Sequence, residues 1–227
     1  MRLTAGSIGI LCVLSCLSSC GGGSDGGGGG YVPAPPQQVV THILSDPAYD
    51  GDIEQTSATS FTVTQGMSGS VQTVLAGIDP SAGTEFRAFL DFPLNGPDGV
   101  PGNAIIDSAY LEVLVDDLSP TGGSLPVRVE LVSFQPPLLT PDQFDRAAQP
   151  SLAAVLVSGD VTGADIGQYV SVDVTQLMVQ AQRLGLVDFQ VRIMEDLGPA
   201  IGVLMEVDDT TQADRPDRAP VLTVTYH

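Results

Sequence analysis

The chain reads as an all-β protein, a two-sheet antiparallel β-sandwich with one or two short helices. Three observations predict it. Apolar residues recur at every second position in segment after segment between Phe86 and Tyr226. That period puts one apolar face on a strand and marks antiparallel sheets sharing a core. The segments are separated by connectors rich in Gly, Pro, Asn and Asp, the residues that tight turns require. Aromatic residues make up only 5% of the chain and there is no Trp, so the core must be built from Val, Leu, Ile and Ala.

Before the strands come a leader and a tether. Arg2 and the free amino terminus give a positive start, and Ala5 to Leu17 is apolar. That run of ~13 residues is shorter than the about 20 a bilayer requires, and it fits a secretory signal instead. Leu17-Ser18-Ser19-Cys20 resembles the lipobox of bacterial lipoproteins. The resemblance implies cleavage before Cys20, lipidation of its thiol and acylation of the new amino terminus. The expected leader is therefore residues 1–19, with the protein held to the membrane of the cell envelope through Cys20. The resemblance implies inner-membrane retention where an Asp follows the cysteine; Gly21 stands there, so the outer membrane is the expected one if the cell is Gram-negative. An ordinary secretory signal with an incidental cysteine is the other reading. Residues 20–38 read as a tether. The run of Gly is a flexible coil, and Pro33, Pro35 and Pro36 stiffen its second half towards polyproline II.

Residues 39–227 are long enough for one sizeable core. Phe86, Ala88, Leu90 and Phe92 share a face, and Ala109 to Val115 alternates in the same way. Val127, Val129 and Leu131 point inward while Arg128 and Glu130 point outward. Val170 to Val174 repeats the period. Val187, Phe189, Val191 and Ile193 follow, then Ile201, Val203, Met205 and Val207, and the chain closes on Leu222, Val224 and Tyr226. Two helices are expected. Thr140-Pro141-Asp142-Gln143 has the form of a capping box with Pro at the first helical position, which predicts a turn or two through Phe144 to Ala148, stopped by Pro150. Thr175 is the expected cap of the second, with Leu177, Ala181 and Leu184 on one face and Gly185 as its end.

Composition excludes some functions. Twenty-seven Asp and Glu stand against eight basic residues, all arginine, for a net charge of −19. Such a surface has no basic patch for nucleic acid, which is therefore not an expected partner. The acidity suits solubility, or a surface that meets divalent cations. No catalytic constellation is visible. His42 and His227 are the only histidines, and Gly66-Met67-Ser68-Gly69-Ser70 lacks the final Gly of a nucleophile elbow. Asp46, Asp50 and Asp52 sit in a turn-like stretch that offers several oxygens to calcium; a solvated acidic loop is the alternative. Asp208, Asp209 and Asp214 form a second such loop. Arg87 stands on the polar face of its strand with Asp91, and reads either as a structural ion pair or loop anchor, or as a sugar-contacting arginine. Tyr110 and Tyr169, with Tyr49, are the tyrosines placed for exposure.

Four segments in order carry a further resemblance: Arg87-Ala88-Phe89-Leu90-Asp91-Phe92-Pro93-Leu94, Ile106-Asp107-Ser108-Ala109-Tyr110-Leu111-Glu112-Val113, Val172-Asp173-Val174-Thr175, and Pro220-Val221-Leu222-Thr223-Val224-Thr225-Tyr226. Over residues 46–226 the chain resembles the DNRLRE-type jelly-roll domain of secreted bacterial and archaeal proteins. The resemblance implies a non-catalytic, jelly-roll-like sandwich, with some relatives classed as carbohydrate-binding modules. Arg87, by its strand position, and Tyr110 and Tyr169, by their expected exposure, are the candidate ligand-binding residues for such a module. Many relatives carry a Trp in the helix after the D-V-T motif, where this chain has Leu177-Met178-Val179. The expected function is a lipid-anchored, non-catalytic envelope module that binds a surface polysaccharide. The alternative is a structural or adhesive lipoprotein that engages other envelope proteins.

Overall fold

A computed structural model describes residues 37–66, 72–196 and 202–227. The leader, Cys20 and the tether up to Pro36 lie outside the described residues, as does most of the Gly66–Ser70 motif. The strands are β1 (Val39–Leu44), β2 (Gly51–Ser57), β3 (Ser60–Gln65), β4 (Thr73–Ile78), β5 (Glu85–Pro93), β6 (Ile106–Ser119), β7 (Ser124–Leu125), β8 (Val127–Val132), β9 (Ala153–Leu156), β10 (Val161–Thr162), β11 (Tyr169–Asp173), β12 (Asp188–Glu195), β13 (Leu204–Asp208) and β14 (Val221–Tyr226). All pairings are antiparallel, and the expected all-β sandwich is present.

One layer is β1, β14, β6 and β11. The other runs β3, β2, β5, β12, β8, β9. β4 and β13 join the two, because β13 pairs with the second half of β6 and β4 with the start of β5. β7 and β10 form a separate two-stranded sheet. The alternating apolar residues of both layers meet in one core, which includes Leu111, Val113 and Leu222 from one side and Leu90, Val129 and Val191 from the other. A void of about 10 Å³ lies between Leu111, Val113, Val170 and Val172 on one layer and Val127, Val129 and Ile193 on the other. Its walls are wholly apolar, so it stays dry.

The one α-helix among the described residues, α1 (Thr175–Leu184), differs from expectation at both ends of its pattern. Thr175 is its first residue and not its cap. Asp173 Oδ1 accepts the Thr175 N–H and hydroxyl at 2.9 and 2.6 Å, doing the capping work from one position further out. Leu177, Met178 and Ala181 are buried while Leu184 is exposed, so Met178 takes the place on the apolar face that the spacing gave to Leu184. Gly185 ends the helix at φ 64°, a left-handed conformation that glycine adopts without strain.

The expected helix over 141–148 is a single 3-10 turn, Pro141–Gln143. Gln143 Oε1 does reach back to the Thr140 N–H at 2.6 Å. The turn stops there because the carbonyls that would continue a helix are taken by arginines. Arg192 donates to Gln143 O at 2.6 Å and to Gln149 O at 3.2 Å, and Arg87 donates to Phe144 O.

Those bonds reveal a layer that alternation did not predict. The polar face of β5, β12 and β8 points away from the main core, but residues 134–150 cover it. Ile53, Phe89, Leu139 and Phe144 form a second small core there, flanked by Phe61, Val63 and Phe134. Arg192 and Glu130 are both 0% exposed, so the outward Glu130 of the sequence reading is sealed inside. They face each other across β12 and β8. Arg192 donates to Glu130 Oε2 at 2.6 Å, and Arg128 and Arg146 reach Oε1 at 2.8 and 2.9 Å. Burial pushes the Glu130 carboxyl up, but these guanidinium bonds and charges outweigh it and hold it below its ordinary pKa.

Breaking such a buried pair leaves an uncompensated charge. Glu130→Ala is expected to lower unfolding stability by about 3–5 kcal/mol, read from the midpoint of urea denaturation.

Candidate functional site

The β2–β3 hairpin extends the sheet beside the first half of β5. Its register needs Gly51, where a Cβ would sit 2.2 Å from Thr64 O of the partner strand. The hairpin brings Phe61 to Phe144, ring centroids 5.2 Å apart and tilted by 53°. Arg87 lies under this pair. Its guanidinium carbon is 4.0 Å from the Phe144 ring centroid, and its Nε and Nη2 both reach Glu85 Oε1 at 2.7 Å. Arg146 follows Phe144 on the covering loop, its side chain a little over one third exposed, with one nitrogen on Glu130. Together with Gln55, Ala58, Asp145 and Met194 these residues line an open cleft of about 410 Å³. It presents the Arg146 guanidinium beside the partly exposed Phe61; Phe144 is 4% exposed and carries Arg87 against its ring, and the Arg87 nitrogens are held by Glu85 and Phe144 O. That combination suits a ligand with both flat apolar faces and an anionic group.

Arg87 is thus the loop anchor and ion pair that its strand position suggested, although its carboxylate partner is Glu85. Asp91 instead accepts from Gln190 Nε2 at 2.7 Å. Tyr110 and Tyr169 are exposed, but on the outer face of the other layer. Tyr110 stands opposite Asp173 and Tyr169 opposite Leu114 on β6 and β11. The Tyr169 hydroxyl donates to Asp217 O at 2.5 Å. The structure therefore does not bring the two tyrosines to Arg87. Phe61, Phe144 and Arg146 were missed by sequence reasoning; the Thr140–Gln143 turn just before Phe144 was the one local signal near them.

The three acidic residues proposed for calcium also separate. Asp46 Oδ1 accepts the Ala48 N–H in a local turn. Asp50 is buried, its Oδ1 accepting the Asp91 N–H at 2.8 Å and its Oδ2 without a hydrogen-bond partner among the described residues. Asp52 is buried on β2. Among the described residues no group of three acidic, His or Cys side chains is arranged to hold a metal ion. In the second acidic loop, Arg215 takes Asp209 at 2.7 Å, and Arg218 binds Asp208 and reaches Asp116 at 3.3 Å. No protein-family model matches this chain, and no curated protein matches it.

Burial shifts the inner carboxyls strongly. It pushes Asp52 up to about 7 and Asp91 up to about 6. Burial, and then the neighbouring Asp209 charge, holds Asp50 well above the ordinary value. A carboxyl raised in the folded state contributes stability that is fully present below its unfolded pKa and is lost as pH rises through the folded value. The window set by Asp52 and Asp91 thus runs from about pH 4 to about 7. The melting temperature is expected to rise as pH falls from 8 to 5. Asp52→Asn should flatten that rise and stabilise the protein at pH 8, as differential scanning calorimetry across pH would show.

Proposed function

We propose that this protein is a lipid-anchored, non-catalytic module of the cell envelope that binds an acidic polysaccharide in the Arg87–Arg146 cleft. One observation carries the reading: in a chain of net charge −19, two of eight arginines converge on an open cleft, Arg146 partly exposed beside Phe61 and Arg87 beneath them. A guanidinium presents a planar fork that matches a carboxylate or sulfate, and a sugar ring lies flat on an aromatic face. The ordered motifs resembling DNRLRE-type domains support the same reading, and the lipobox-like Leu17–Cys20 supports the anchor. The second reading, an envelope lipoprotein that engages other proteins, draws on exposed Tyr110 and Tyr169, since tyrosine is enriched at protein interfaces.

Titration calorimetry with polygalacturonate and with neutral dextran tests the first reading. Binding to the acidic polymer is expected, weakening as salt is added. Arg146→Ala should weaken it about tenfold or more, the loss of a charge-assisted bond. Silence with every acidic and neutral polysaccharide would overturn it. Cys20→Ala is expected to abolish incorporation of radiolabelled fatty acid and to release the protein from the membrane fraction; undiminished labelling would end the assignment of Cys20.

A further inference from the structure

Beside the arginine cleft lies a second cavity, of about 480 Å³. The hairpin end, Gln55 to Ala58, forms one wall, and the β4–β5 loop with Ala82, Thr84 and Glu85 forms the other. Gln55 and Ala58 border both cavities. Glu85, in the wall of the second, holds Arg87, in the wall of the first. The two cavities therefore meet along one short wall of side chains.

Their linings differ in kind. The first holds Arg87 and Arg146, each paired with a glutamate, with Asp145 and Phe61, whereas the second is lined by Gln55, Thr56, Ser57 and Thr84 together with the carboxylate of Glu85. Thr84 carries a further mark. It lines the lobe, yet its hydroxyl is enclosed and has no hydrogen-bond partner among the described residues. Buried hydroxyls are ordinarily bonded. Rotation about χ1 exchanges the threonine methyl for its hydroxyl, and a ligand hydroxyl in the lobe is then the partner that the free protein does not supply. Each lobe alone falls within the volume range of a small-molecule site, so the pair has room for several sugar rings.

We infer that the two lobes are one groove, which takes a linear polysaccharide along both. The acidic group of one sugar sits at Arg146, and the hydroxyls of the sugars that follow sit on Gln55, Ser57 and Thr84. This rests on the acidic-polysaccharide reading and adds a length and a direction to it.

Calorimetry on the full-length chain in detergent, with galacturonate oligomers from dimer to hexamer, tests it. Affinity is expected to rise about tenfold or more over that series as the second lobe fills. Ala82→Trp, a change at an exposed position on the wall of the second lobe, should remove most of the gain and leave dimer binding unchanged. Its melting temperature checks that it folds, and if it does not fold the native length series decides alone. Thr84→Val should keep or raise the melting temperature, because it deletes an unbonded hydroxyl, while weakening hexamer binding. Equal affinity for dimer and hexamer, or a length gain untouched by Ala82→Trp, would sink the single groove and leave the acidic-polysaccharide reading standing. An unchanged hexamer affinity in Thr84→Val would remove Thr84 from the groove. No binding at any length would overturn both.

Discussion

Arg192 places a permanent positive charge on a sheet face that is closed to water, and much of the molecule is arranged to satisfy it. Glu130 meets it across the strand pair. Its remaining donors go to Gln143 O and Gln149 O, so the loop over 134–150 cannot lift away without stranding a buried guanidinium. That loop carries Phe144 and Arg146. The cleft therefore exists because a charge directly beneath the covering loop has to be paired. An apolar pair in place of Glu130 and Arg192 is often as stable as a buried ion pair. It would also leave both loop carbonyls without donors, so the pair's contribution here is the position of the covering loop.

The same logic recurs through the chain. Arg87, Arg128, Arg146, Arg192, Arg215 and Arg218 all pair with carboxylates. Several also donate to backbone carbonyls on distant segments. Arg215, for example, ties Ser45 O at 2.5 Å and Thr210 O at 2.9 Å. A guanidinium has five donors in a fixed fork, which an ammonium cannot imitate. The three cysteines all lie in the first twenty residues, and the chain has no lysine. Arginine forks serve as the cross-links between loops in the domain that follows.

This explains how far the sequence could be read. Alternation in β5, β8 and β12 correctly separated Leu90, Val129 and Val191 from Arg87, Glu130 and Arg192. A period of two says which residues share a face, and it is silent about what lies over the other face. Solvent and a covering loop demand the same polar residues at the same spacing. Thr140–Gln143 was read as a helix start because its local chemistry is that of one. The carbonyls that stop it are claimed by Arg87 and Arg192, far along the chain, and no local pattern records that. Arg87 was picked out from its own strand, whereas Phe61, Phe144 and Arg146 reach the cleft only through tertiary contacts. The calcium expectation rested on the spacing of Asp46, Asp50 and Asp52, and spacing does not show that Asp50, just before β2, and Asp52, on it, are both buried.

β6 has a consequence for how the fold is lost. It is 14 residues long, where strands average about five or six. Its first half is laddered to β14 and β11 in one layer, and its second half to β13, on the path to the other. The two layers are thus spliced through one continuous backbone. Neither can melt alone without fraying a ladder of its neighbour, so the sandwich has no internal seam at which a half-unfolded intermediate would accumulate.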